Sequence, residues 1–164
     1  MRKYKIVLVA ACAALMLLPA NLLAQEEEKD MRPVRETFNG TLLGDQQTGT
    51  SPRDKGLELI IHHRFGTMEN GLTDLYGIYA PSNIRLGLSF GVTEKLMVGF
   101  GTEKNNKLQE FYAMYNILQQ TRGGSIPVGI SYYVNMAIDA RNPEVFGENY
   151  AFTNRLSYFH QIII

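Results

Sequence analysis

The chain has 164 residues and carries 16 basic against 16 acidic side chains, a formal net charge of zero. That length suits one domain, and the charge balance leaves no electrostatic footprint for nucleic acid. A single cysteine, Cys12, excludes an intrachain disulfide framework and a zinc–thiolate cluster.

Met1 to Lys5 is a short basic start, and Ile6 to Leu18 is an apolar run too short to span a bilayer comfortably. Pro19 breaks that run, and small residues follow at Ala20 and Ala24. The pattern predicts a secretory signal peptide over residues 1–24, with an uncleaved anchor as the alternative. Cleavage there removes Cys12. Three of the 16 basic residues, Arg2, Lys3 and Lys5, leave with it, so 13 remain against 16 acidic ones. Residues 25–33 begin Gln25-Glu-Glu-Glu-Lys-Asp30 and read as a solvated, flexible acidic leader.

Beyond the leader the dominant signal is alternation with a period of two, punctuated by Gly, Pro and Asn. Val34 to Leu42 alternates and is a candidate strand. Six further strands follow, at Gly56–Phe65, Asn83–Gly91, Leu96–Glu103, Leu108–Leu118, Val128–Ala137 and Tyr150–Ile164. Each has an apolar face, such as Ile84, Leu86, Leu88 and Phe90. Each also has a small or polar face, such as Arg85, Gly87, Ser89 and Gly91. Connections alternate between tight (Thr93–Lys95 and Thr121–Pro127) and longer (Gly66–Ser82 and Ile138–Asn149). The predicted fold is all-β, an antiparallel up-and-down meander.

Two solvents fit such a meander. A soluble barrel turns its apolar face inward, whereas a membrane barrel turns it to lipid and lines its lumen with the other face. Strand lengths close to the roughly 9–11 residues of a tilted membrane strand favour lipid. Charges of both signs beside glycine and serine on the second face point the same way.

Three segments carry a resemblance. Gly56-Leu-Glu-Leu-Ile-Ile-His-His-Arg-Phe-Gly66, Ile84-Arg-Leu-Gly-Leu-Ser-Phe-Gly-Val-Thr-Glu-Lys-Leu96 and Glu148-Asn-Tyr-Ala-Phe-Thr-Asn-Arg-Leu-Ser-Tyr-Phe-His-Gln161 resemble an uncharacterised outer-membrane β-barrel family of Gram-negative bacteria. The resemblance implies an outer-membrane location and a barrel architecture, with no catalytic residues to carry over. Membrane barrels of one chain have an even strand number of about eight or more, and this chain breaks off at Ile162-Ile-Ile164 in mid-strand. The expectation is therefore a partial transmembrane barrel, the N-terminal part of a longer one; a sheet closed by self-association is the alternative. Strand parity also implies that Val34–Leu42 does not span. It lies in the lumen or pairs at the periplasmic rim, so residues 34–55 form a non-spanning strand and loop ahead of the barrel strands at 56–164.

The lumen-facing candidates are Glu58, His62, Arg64, Arg85, Glu110, Asn116, Asn135 and Arg155. Arg64, Arg85 and Arg155 are expected to oppose Glu58 and Glu110, either as structural pairs or as a selectivity zone. His62 and His63 point to opposite faces of a strand and cannot share one metal ion. A hydrolase assembled from Ser89 or Ser131 with His62 and Glu58 lacks any local signature. No catalytic residue, metal site or cofactor is expected. The expected partners are outer-membrane lipid and small solutes, and the functional expectation is a porin-like channel or an uptake or binding protein. A structural or adhesion barrel and a soluble periplasmic barrel with an apolar ligand stand as alternatives.

Overall fold

The computed structural model describes residues 29–35 and 37–164. The leader expected over residues 1–24, and most of the acidic stretch after it, lie outside the described residues. Residues 31–164 form one compact unit.

A six-stranded antiparallel sheet dominates that unit. Its strands are β3 (Leu57–Arg64), β4 (Asn83–Gly91), β5 (Leu96–Glu103), β6 (Leu108–Leu118), β7 (Ile130–Asp139) and β8 (Leu156–Ile163), each paired with its neighbours in chain order. A two-residue pair, β1 (Leu42–Leu43) and β2 (Gln46–Gln47), forms a separate small hairpin. Outer strands β3 and β8 are not hydrogen-bonded to each other, so the sheet is a partial barrel. It is nonetheless curled, because His62 and Arg64 of β3 line the same cavity as Ser157 and Gln161 of β8.

The registers assign the two faces. Leu59, Leu88, Phe100, Phe111 and Met136 form one cross-strand row. It faces outward, and Leu59 keeps 64% and Leu88 40% of its surface exposed. The opposite row runs Glu58, Ser89, Gly99, Tyr112 and Asn135. That inner face holds the buried cluster Met97, Met114, Tyr112 and Tyr133. The apolar face is thus outside, and a soluble barrel with its apolar face inward does not describe this molecule.

Three expectations are corrected. Among the described residues of Val34–Leu42, only Leu42 joins a strand, in the small hairpin. Fifth-strand pairing begins at Ile130 rather than Val128, beside a bulge that leaves Ile117 of β6 without an opposite residue. Finally, Tyr150–Arg155 does not join the strand, which begins at Leu156. Phe152–Arg155 is a 3-10 turn, held by the Asn154 side chain accepting from the Ala151 amide at 2.7 Å and by the Asn154 amide donating to the Ala151 carbonyl at 2.9 Å.

The N-terminal segment enters at the end carrying the tight turns. Pro33 bridges Thr121, and the Val34 amide donates to the Gln120 carbonyl at 2.7 Å. It then crosses the inner face. The Thr41 amide reaches Glu58 Oε1 at 3.4 Å, Gln47 Nε2 reaches Met114 Sδ at 3.8 Å, and Asn116 Nδ2 donates to Ser51 Oγ at 3.2 Å. Gly44, at φ +61°, takes the positive-φ position of the β1–β2 turn.

Candidate functional site

Glycines organise the inner face. Gly87 and Gly101 are directly opposed across β4 and β5, and Gly99 opposes Tyr112 across β5 and β6. With no side chain at Gly99, the Tyr112 ring lies flat over β5, and a Cβ built there would overlap it. The Tyr112 hydroxyl reaches β4, donating to the Leu88 carbonyl at 3.1 Å and meeting Ser89 Oγ at 3.0 Å. Arg85 lies over Gly87 and Gly101 in the same way, so its guanidinium crosses β5 and Nε donates to Glu110 Oε2 at 2.5 Å. Arg85 is only 8% exposed, so this is a desolvated pair in which either charge alone is costly.

The inner face borders two cavities. One, of about 360 Å³ near the ends of β3 and β7, is lined by His62, Arg64, Arg85, Glu110, Tyr133 and Asn135 among others. The other, of about 670 Å³ near the tight turns, is bounded by the N-terminal segment and by Glu58, Asn116 and Ser131. Seven of the eight candidate residues therefore line these cavities. Of the expected charge pairs, Arg85 with Glu110 is formed; the other two arginines have different partners. Arg64 Nη2 meets Asp45 Oδ1 at 2.6 Å, and its Nη1 lies 3.6 Å from Glu103 Oε1, so Glu58 is not its partner. Asn116 Oδ1 accepts from Ser131 Oγ at 2.7 Å, and Asn135 Nδ2 donates to the Tyr133 hydroxyl at 3.2 Å. His62 is directly opposite Arg85 across β3 and β4.

Arg155 is the exception. It opposes no carboxylate of the sheet interior and lines neither cavity. Its Nη1 donates to the Asp139 and Arg141 carbonyls at 2.6 and 2.5 Å, and its Nε to the Tyr150 hydroxyl at 2.5 Å. The guanidinium carbon lies 4.9 Å from the ring centroids of both Phe146 and Tyr150. Arg155 thus clamps the connection between β7 and β8. In that connection Arg141 is held by the Asp139 carboxylate, whose hydrogen bonds raise the guanidinium pKa above its usual value.

The serines weighed for hydrolysis are engaged elsewhere, Ser89 with Tyr112 and Ser131 with Asn116. Glu58 and His62 sit four residues apart on β3, about 13 Å along the strand. Alternation places Glu103, Tyr112 and Tyr133 on this inner face, although they were not singled out as candidates. Asp45 and Gln47 were missed, because they arrive on the N-terminal segment.

An outward apolar sheet with an inner face of ion pairs is the inverse of a soluble sheet, and comparison with known families agrees. Residues 38–164 match the model of a family described as a membrane bound beta barrel domain (DUF5777). The chain belongs to that family. Comparison with characterised proteins and with solved structures found no match. As a membrane-bound β-barrel domain, the protein carries the apolar row through Leu59, Leu88 and Phe100 on its outside, and the Arg85–Glu110 face is its interior. No helix among the described residues is long and apolar enough to cross a membrane; in this family the crossing elements are strands.

Proposed function

We propose that the protein resides in the outer membrane of a Gram-negative cell, exported by the leader over residues 1–24. There it serves as a porin-like channel or a small-solute uptake or binding protein, without a catalytic step and without a cofactor. Its partners in this reading are outer-membrane lipid and small polar solutes. One observation carries the reading: the interior is floored by glycines and crossed by charged and hydroxyl groups instead of being filled with aliphatic side chains. Among the described residues, Arg85 Nη1, Glu58 Oε2 and Gln161 Oε1 are buried without a protein hydrogen bond. Groups of that kind bind water or solute.

Two experiments test this. Fractionation with a cold-versus-boiled detergent gel tests location, and an outer-membrane product with a heat-dependent shift is expected. Planar-bilayer recording tests transport, and discrete current steps are expected. In a salt gradient, Glu110→Gln should shift the reversal potential toward anion preference, because Arg85 is left unpaired; Arg85→Gln should shift it toward cations. Inserted, heat-modifiable protein that neither conducts nor binds any small polar solute overturns the reading in favour of a structural or adhesion barrel.

A further inference from the structure

The connection between β3 and β4, residues 65–82, is built unlike an ordinary surface loop. Between residues 68 and 79 it exposes Met68, Leu72, Leu75, Tyr76, Ile78 and Tyr79, with Leu72 and Tyr79 each 77% exposed. Scattered exposed apolar residues need no explanation, but this many on one short segment mark a contact surface.

The segment is also held in shape. Asp74 organises it: Oδ1 accepts from the Gly77 amide at 3.0 Å, Oδ2 from Asn70 Nδ2 at 3.1 Å, and the Asp74 carbonyl from the Tyr79 amide at 3.0 Å. The Tyr76 amide donates to the Gly71 carbonyl at 2.6 Å, and the Gly66 amide to the Gly77 carbonyl at 3.1 Å. Leu75 and Tyr76 are consecutive non-glycine residues at φ +51° and +54°. That conformation is costly for side chains of this size and persists only where the surroundings enforce it.

Position identifies the occupant. No residue of the loop lines either interior cavity, so the apolar side chains are not interior filling. The loop continues directly from the lipid-facing row of β3 and β4 through Phe65 and Ile84. Those two strands have 8 and 9 residues. At a rise of about 3.4 Å and a tilt near 40° they cover about 20–23 Å, short of the roughly 25 Å apolar band of a membrane barrel. Of the two other connections at the same end, Lys104-Asn-Asn-Lys107 is wholly polar and residues 140–155 expose only two large apolar side chains, Val145 and Phe152, over a similar length, so the apolar character is concentrated in this loop.

We infer that the loop over residues 65–82 is an interfacial anchor that lies in the headgroup zone of the membrane, its Leu and Tyr side chains extending the apolar band beyond β3 and β4. Tyrosine is suited to that depth, with an apolar ring and a hydroxyl for the wet side.

Depth-resolved fluorescence quenching tests this. In the full chain with Cys12→Ser, single cysteines at Leu72, Tyr79, Leu88 and Asn105 carry an environment-sensitive fluorophore. Each protein is reconstituted into phosphatidylcholine vesicles, with preparations accepted when the Leu88→Cys label is quenched by acyl-chain nitroxide lipid. The labels at 72 and 79 should be quenched by headgroup-level nitroxide lipid at least about twofold more than the label at 105, and less by aqueous iodide. Labels at 72 and 79 as open to iodide as that at 105, and blind to the nitroxide lipid, would overturn the inference and assign the loop to a protein partner.

Discussion

At the scale of single residues, the glycines of β4 and β5 matter for what lies across them. Gly99 gives up a side chain so that Tyr112 can lie flat and reach two groups on β4. The ring is fixed at its hydroxyl by Ser89 and Leu88, so it cannot move aside without losing both bonds. Gly99→Ala is therefore expected to cost about 1–3 kcal/mol through overpacking. Gly129→Ala, where the nearest atom to a new Cβ is 3.7 Å away, serves as the mild control. Urea unfolding in detergent or lipid reads the difference, and equal midpoints for the two variants would refute this account of the glycine stripe. Arg85 and Glu110 raise the same issue with charge. Their side chains are 9% and 15% exposed, so removing one partner strands the other away from water. Arg85→Gln and Glu110→Gln are each expected to cost about 3 kcal/mol, and the double variant less than their sum. A double-mutant cycle measures the coupling; strict additivity would show that the pair is only a proximity.

Among the elements, the strands differ in how legible they were. Four of the six, from β3 to β6, lie within one residue of the bounds that alternation set, since apolar residues recur at every second position through most of each strand and Thr93 closes a tight turn by accepting from the Lys95 and Leu96 amides. The last two were less legible because alternation does not encode the local hydrogen bonds that end a strand. Tyr150 to Arg155 continues the period, yet Asn154 bonding back to Ala151 and the Arg155 clamp hold it in a turn. The same facing argument gives an element-level test. Leu86 lies mid-strand on the outer face of β4, whereas Val92 lies in the turn just past its end. Leu86→Arg should cost about 2–4 kcal/mol in equilibrium folding into lipid vesicles, and Val92→Arg about 0–1 kcal/mol. Equal costs would mean that the outer row of β4 does not cross hydrocarbon.

For the whole molecule, the least legible feature is the segment that crosses the inner face. Its even alternation over Val34–Leu42 suggested a strand, but the segment crosses the inner face instead of running along the free edge of β3 or β8. It bonds instead through single contacts, Thr41 to Glu58, Asp45 to Arg64, Gln47 to Met114 and Ser51 to Asn116. Those contacts join side chains distant in sequence, and no local pattern announces them. They also make the segment separable from the barrel wall. The six-stranded ladder contains none of its hydrogen bonds, whereas the inner face depends on it for cover: Met114, 1% exposed, lies beneath Gln47. Replacing residues 41–48 with a Gly-Ser linker of equal length should therefore leave a folded, heat-modifiable barrel. It should make Met114 oxidisable by aqueous peroxide and, if the interior conducts, raise unitary conductance about twofold or more. Peptide mapping of Met114 sulfoxide reads the first effect without any assumption about transport, and bilayer recording reads the second. Met114 that stays protected in a correctly folded variant would show that the wall alone seals the inner face, and the N-terminal segment would then be a fastening and not a plug.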